Sequence, residues 1–206
     1  MNGIIATSMR EKGMNYRMNF GVDIPKIHQI AQKYTPDKTL AETLWKEDVR
    51  EMKILATLLY PKSEFSDEAA ERWVSSIPNQ EIREQVCKNL FQEMAFADKW
   101  LQRWVENDDA EIRTTGYWLF ARLCISGAGV VEKIKTEKLL ENALQDIQLQ
   151  LVFLRQAALN ALKFYGRMSK QNAGNVLQKI SSFEISDNAQ EKEVFDLLRF
   201  EFEYVE

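Results

Sequence analysis

One short sequence pattern occurs four times in this chain and restricts the folds that the chain can adopt. Each copy is an aliphatic residue, then an arginine, then apolar residues at helical spacing, and the arginines lie 33, 30 and 42 residues apart. Repeats of that length built only from helices predict helix pairs that stack side by side and create a long curved surface. The copies begin at Val49-Arg50, Ile82-Arg83, Ile112-Arg113 and Leu154-Arg155.

Helical periodicity runs through almost the whole chain, and no stretch of four to eight residues alternates strictly enough for a strand. The chain has only 8 Gly and 4 Pro, which favours helices joined by short loops. We predict an all-α protein, a HEAT-like helical repeat superhelix (α-solenoid) that curves around a concave groove. A single domain is expected over residues 1–206, with an N-terminal arm at 1–22 and a C-terminal capping helix at 188–206. The later helices are expected at 80–95, 97–106, 110–125, 133–147, 150–166, 169–182 and 188–204.

The charge balance bears on the class of partner. A net charge of −4 argues against strong non-specific binding to nucleic acid, which usually needs a basic domain, although a local basic stripe is compatible with it. The single histidine, His28, provides neither a metal site nor a Ser–His pair, and no cysteine spacing suits zinc. We therefore expect no metal and no cofactor.

Cellular context follows from the cysteines and from the absence of long apolar runs. Cys87 and Cys124 lie among apolar neighbours in amphipathic patterns, as reduced core thiols of a cytosolic protein do. The N-terminal segment lacks the apolar core of a signal peptide, and no run approaches about 18 apolar residues. The expectation is a cytoplasmic protein with no membrane partner.

Several segments, taken in order, resemble the DNA alkylation repair family. They are NFGV after a short arm, the helix IPKIHQIA, then LAETLWKEDVREMKILATLL and EQVCKNLF. The resemblance covers roughly residues 15–170, and LWKEDVREMKILA is its most specific stretch. It implies a HEAT-like-repeat DNA glycosylase, an enzyme that releases cationic alkylated purines such as 3-methyladenine and 7-methylguanine from duplex DNA.

The resemblance also implies the groups that act on the damaged nucleotide. In the family a carboxylate and two Trp side chains approach its deoxyribose. The alkylated base is already a good leaving group, so the enzyme mainly stabilises the positive charge that develops on the sugar. A carboxylate does this by its charge, and an indole face does it as a cation–π partner.

The implied site is matched only in part. Glu84 falls at the carboxylate position and is the candidate catalytic residue. Gln80 falls at the first Trp position and Asn160 at the second, so neither indole is present. Lys163 and Arg113 fall where basic phosphate contacts are expected.

The five tryptophans that the chain does contain lie at helical spacing with other apolar residues. That placement is typical of core between helices rather than of a substitute active site.

Two interpretations of the repeated arginines stay open. Each pairs with an acidic residue of its own or the adjacent repeat, or the arginines form an inward-facing ladder of guanidinium groups for phosphates. Under the second interpretation a set of cations lines the groove and contacts DNA: Arg83, Lys88, Arg113, Arg155, Lys163 and Arg167.

Three functional hypotheses follow. The first is an alkylation-repair-like protein that binds duplex DNA, with glycosylase activity weak or lost. The second is a true glycosylase in which Glu84 stabilises the developing charge. The third is a non-enzymatic scaffold that binds a protein or peptide in the same groove, as many helical solenoids do.

Overall fold

A computed structural model of the protein describes residues 16–127 and 129–205. Over these ranges the regular elements are eleven α-helices and four 3-10 helices, and the predicted all-α fold is confirmed. The α-helices, numbered in chain order, are α1 (Ile24–Ala31), α2 (Lys38–Lys46), α3 (Arg50–Leu59), α4 (Asp67–Val74), α5 (Gln80–Asn89), α6 (Ala97–Trp104), α7 (Ala110–Ser126), α8 (Thr136–Asp146), α9 (Val152–Gly166), α10 (Lys170–Lys179) and α11 (Ala189–Phe202).

Local sequence sets most helix boundaries. The side chains of Asp23 and Ser66 accept the backbone N–H of Lys26 and Ala69 in the first turns of α1 and α4, which satisfies donors that a helix start leaves unpaired. The expected helix 80–95 is shorter than predicted, because α5 ends at Asn89 and a 3-10 turn follows at Phe91–Glu93. The chain leaves α-helical geometry there and buries the Phe91 side chain completely.

The described chain divides into two compact units, the first ending at Met94 and the second starting at Ala95. In the first unit, α3 is central and packs against α1, α2 and α5. The indole rings of Trp45 and Trp73 stack with their centroids 4.0 Å apart and join α2 to α4. This stack forms the centre of an aromatic core that also contains Tyr60 and Phe65.

The described part of the N-terminal arm is held on the first unit by hydrogen bonds to Asp48, Arg50 and Glu51. Glu51 accepts the backbone N–H groups of Phe20 and Val22, each at 3.1 Å. Tyr16 is buried, whereas the Met18 side chain is 45% exposed. Residues 1–15 of the predicted arm at 1–22 lie outside the described residues.

In the second unit, α9 packs against each of α7, α8, α10 and α11, and α7 also packs against α6. Two glycines, Gly116 and Gly166, allow neighbouring segments of the second unit to pack in close contact with their helices. A Cβ at Gly116 would lie 2.9 Å from Cγ1 of Val105, and a Cβ at Gly166 would overlap the ring of Phe202. Gly166 therefore lets the last helix, α11, dock directly on the end of α9.

The tryptophans confirm the expectation of core packing, with one partial exception. Trp118 on α7 is half-buried, and within the described chain its indole N–H has no hydrogen-bond partner. The other four are buried: Trp45, Trp73, Trp100 and Trp104.

Both cysteines are buried, and within the described chain neither forms a disulfide. Burial raises the pKa of the Cys124 thiol to about 12, so this thiol stays protonated at neutral pH. Among the described residues, none of the helices combines the length and the apolar character needed to cross a membrane.

We predict that Gly166→Ala lowers the free energy of unfolding by about 1–3 kcal/mol, because the new methyl group forces the Phe202 ring out of its site. Gly174→Ala is the matched control, since a Cβ at Gly174 meets nothing within 4 Å. Within helix α10 it should stabilise the protein by up to about 1 kcal/mol. Urea unfolding measures the stability of both variants. Equal unfolding midpoints would contradict the close contact between Gly166 and Phe202.

Candidate functional site

Glu84, the candidate catalytic carboxylate, lies on α5 in the first unit and is half-buried. The side-chain amide of Gln80, one helical turn earlier, donates a hydrogen bond to Glu84 Oε1 at 3.0 Å. The oxygen of the same amide accepts a hydrogen bond from Arg83 Nη1 at 2.7 Å. Gln80 thus links the carboxylate to the guanidinium, and it does so from the position where the family resemblance places an indole.

Arg83 and Lys88, both predicted DNA contacts on α5, have opposite environments. Arg83 is only 1% exposed, and a side chain in the interior does not present its donors to a phosphate. Lys88 is exposed and meets that requirement. The burial of Arg83 is typical of a structural residue and does not support the prediction that it contacts DNA.

The first repeated arginine, Arg50, is also interior and is bound from three sides. Its guanidinium donates to Glu81 Oε1 at 2.7 Å, to Glu51 Oε1 at 3.2 Å and to the carbonyl oxygen of Val22 at 2.6 Å. Tyr16 donates its hydroxyl proton to the same Glu81 at 2.9 Å. Burial and the nearby Glu81 charge raise the pKa of Tyr16, so this hydroxyl remains a donor.

Arg113 has an equivalent arrangement in the second unit. It donates through Nε and Nη2 to the carboxylate of Asp146 at 3.0 and 3.3 Å. Its Nη1 donates to the backbone carbonyls of Asn107 and Asp108. Asp146 also accepts from the hydroxyl of Tyr117 at 2.8 Å. The predicted phosphate contact at Arg113 is thus engaged in joining α7 to the end of α8.

Arg155 bonds a residue of the last helix. Its Nη1 donates to the side-chain oxygen of Gln190 at 3.1 Å, and the amide of Gln190 donates to the backbone carbonyl of Ile147 at 2.9 Å. Arg50, Arg113 and Arg155 therefore bond an acid or amide 31, 33 and 35 residues later in the chain. All three arginines thus link one repeat to the next, but the expected acidic partner is found only for Arg50 and Arg113, because Gln190 is a neutral amide.

Lys163 and Arg167 form a cationic cluster at the end of α9. Lys163 Nζ lies 2.6 Å from Glu201 Oε1 of α11, and Arg167 bonds the other oxygen of that carboxylate. Both cations also lie over the Phe164 ring, at 5.7 and 5.6 Å from its centroid. The hydrogen bond from Lys163, with the charge of Arg167, holds the pKa of Glu201 below its ordinary value.

Asn160, at the place of the second expected indole, is half-buried on α9. The nearby Gln156 side chain donates to its side-chain oxygen at 3.4 Å. Neither of the two positions where the resemblance implies an indole thus offers an aromatic face to a sugar.

Pairing of the repeated arginines with acidic residues was one interpretation of the sequence, and the Arg50–Glu81 bond agrees with it. Asp146 and Gln190 were not singled out, nor was Glu201, the acid shared by Lys163 and Arg167. The interval of 31 to 35 residues between each repeated arginine and its partner is the one signal that could have found the first two. Many other carboxylates lie at similar intervals, so that signal alone has low specificity.

The helices and their arginine links define a HEAT-like helical repeat protein, and comparison with known proteins agrees. A solved structure superposes with a TM-score of 0.78, covering 97% of this chain and 89% of that chain at 16% sequence identity. It comes from a family described as related to the HEAT-like repeat DNA glycosylases, with affinity for branched DNA structures. At that identity the likeness establishes the fold. No curated protein matches the sequence.

The family model described as "DNA alkylation repair enzyme" matches residues 2–193. The chain belongs to this family, and the resemblance found in the sequence is confirmed.

We predict that Arg113→Met lowers the free energy of unfolding by about 2–4 kcal/mol, because it leaves the Asp146 carboxylate, 9% exposed, without its counter-ion. Arg155→Met, which removes a hydrogen bond to a neutral amide, should cost about 1 kcal/mol. Chemical denaturation measures both losses. Similar losses in the two variants would show that the charge of Asp146 needs no partner.

Proposed function

We propose that this protein binds DNA in a repair context and has weak or no glycosylase activity toward alkylated purines. Membership of the DNA alkylation repair family supports the repair context. The affinity of the structural neighbour for branched DNA supports a nucleic-acid ligand. The ligand in this proposal is duplex DNA, including DNA with alkylated bases, held in the concave groove expected of stacked helical repeats.

One observation carries the proposal that catalysis is weak, namely the hydrogen bond from Gln80 to Glu84. Glu84 keeps a carboxyl group at the position that the family resemblance gives it, but an amide occupies the place from which an indole would face the sugar. A cation–π contact contributes up to about 2 kcal/mol. The loss of two such contacts reduces the rate by two or three powers of ten, since each factor of ten corresponds to about 1.4 kcal/mol.

The proposed phosphate contacts are the predicted cations that remain accessible. Lys88 is exposed, Arg167 keeps 45% of its side chain exposed, and Lys163 keeps 23%. Arg155 is half-buried and completes the proposed set. Because phosphate contacts release counterions, binding should weaken steeply with salt.

A second candidate function, a scaffold that binds a protein or peptide, is favoured by a different observation. Four apolar side chains are exposed close together in sequence at the start of α9. A cluster of this kind is typical of protein interaction surfaces. The side chains are Leu149, Leu151, Val152 and Phe153.

We predict that Glu201→Gln strengthens duplex binding several-fold at about 50 mM salt, where phosphate contacts are strongest. The substitution removes the carboxylate that neutralises Lys163 and Arg167 and leaves both cations in place. Lys163→Gln should weaken binding and reduce the slope of log K against log salt by about 0.9. Fluorescence anisotropy with a labelled blunt duplex measures both quantities.

Glu137→Gln is the matched control, because Glu137 also pairs with a lysine, Lys179, in the second unit. The substitution changes the net charge by the same amount at a different place. If Glu137→Gln and Glu201→Gln strengthened binding equally, the effect would be one of overall charge, and the proposed contacts at Lys163 and Arg167 would be refuted.

We predict that the wild-type protein releases 7-methylguanine from methylated duplex at least about a hundredfold more slowly than a glycosylase with both indoles, from the cation–π magnitudes above. Any residual release should fall further in Glu84→Gln, which removes the charge but keeps the shape. Chromatography of the released bases is the measurement. Rapid release by the wild type would reject the proposal of weak catalysis, and equal release by both proteins would exclude Glu84 from the reaction.

A further inference from the structure

Two clefts lie on either side of one aromatic side chain at the C-terminal end of the second unit. The larger, of about 870 Å³, lies between α10 and α11, and the smaller, of about 520 Å³, lies beside Arg167 and Met168. Phe200 and Val205 line both. Volumes of this size are typical of ligand sites, and neither cleft contains Glu84 or another residue of the site already described on α5.

The aromatic side chains at these clefts are unusually accessible. Phe200 is 70% exposed and Tyr204, four residues later, is 82% exposed. Glu203 between them keeps helical backbone angles, so the two rings project from successive turns of one helical face. By contrast, Phe202 is buried against Gly166 and anchors the helix that carries them. Rings left in water on an anchored helix are available to stack on a planar ligand.

Charge is distributed unequally around the larger cleft. The α10 wall contributes one cation, Lys170, and otherwise small or apolar residues, with no acid. The α11 wall contributes Arg199 together with Asp196 and Glu203. The smaller cleft contains Arg167, and its one acid, Glu201, is already paired with Lys163 and Arg167. Both acids of the larger cleft lie on the α11 wall, where Asp196 pairs with Arg199 at 3.5 Å. The position for an anionic chain is therefore along Lys170 and Arg167, with its planar groups against Phe200.

We propose that these clefts bind an unpaired DNA strand, with bases stacked on Phe200 and Tyr204 and phosphates near Lys170 and Arg167. Aromatic side chains and a cationic wall are the combination that binds single strands without sequence preference, because every base has a π face. This inference rests on the proposed DNA-binding function and adds a ligand class to it: the single-stranded arm of a branched or partly unwound duplex.

Gly174 provides a test that leaves the fold intact. It lines the larger cleft, and a Cβ placed there meets nothing within 4 Å. Gly174→Leu therefore projects an isobutyl group into the cleft while improving helix propensity, and Gly174→Ala is its small-volume control. The double variant Phe200→Ala/Tyr204→Ala removes the stacking surfaces, and Tyr34→Ala, which removes a 58% exposed ring in the first unit, is its control.

The experiment measures the affinity of the full chain, at about 50 mM salt, for a labelled blunt duplex and for the same duplex with a single-stranded thymidine arm. We expect the wild type and both controls to prefer the armed duplex. Loss of each stacking ring should weaken arm binding roughly tenfold, and Gly174→Leu should abolish the preference. All of these variants should bind the blunt duplex equally, and thermal unfolding checks that each is folded.

The outcomes separate this inference from the function on which it rests. Failure of the wild type to bind either DNA would reject the proposed DNA-binding function and this inference with it. If the blunt duplex binds but the arm adds no affinity, or if the preference survives in Gly174→Leu and in the double variant, the inference is overturned and the proposed function stands.

Discussion

A guanidinium group cannot leave water without partners, and this requirement governs how successive helices are joined within each unit. Arg50 is 2% exposed and bonds two carboxylates and a backbone carbonyl. Arg113 and Arg155 make corresponding bonds to residues 33 and 35 positions later. Each bond fixes the rotation of one helix against an element of the next repeat. The pattern that repeats in the sequence is therefore mainly a device for stacking.

Because these arginines bond other residues of the protein, fewer cations remain available to bind the phosphates of a nucleic acid. Arg83 and Arg113 are occupied within their own units, so a ladder of inward-facing guanidinium groups is not their role. Three of the accessible cations, Lys88, Lys163 and Arg167, do not belong to the repeated pattern, and Arg155 is the one repeated arginine that stays in the proposed set. At Lys163 and Arg167 a single acid, Glu201, controls how much positive charge is available. An acidic protein can thus carry a local cationic surface, with its strength set by an internal carboxylate.

The carboxylate of Glu84 is present at the candidate site, but its surroundings differ from those that the family resemblance implies. A carboxylate stabilises a developing cation wherever the two are close, but its contribution falls when another donor already satisfies it. Here the donor is the Gln80 amide, which Arg83 holds in place. Family membership supports the proposed DNA-related role, and the Gln80 amide beside Glu84 supports the proposal of weak catalysis.

Helical periodicity and the four arginines were sufficient to predict an all-α repeat protein, because both depend on residues three, four or about thirty positions apart. The burial of most of the tryptophans followed from the same local patterns. The partners of the charged side chains, and the exposure of each, could not be predicted in this way. Asp146 and Glu201 are two carboxylates among many, and the folded positions of α8 and α11 select them as partners of Arg113, Lys163 and Arg167. Tertiary structure alone decided which cations are used in stacking and which remain for a ligand, because a charge is neutralised by its neighbours in space.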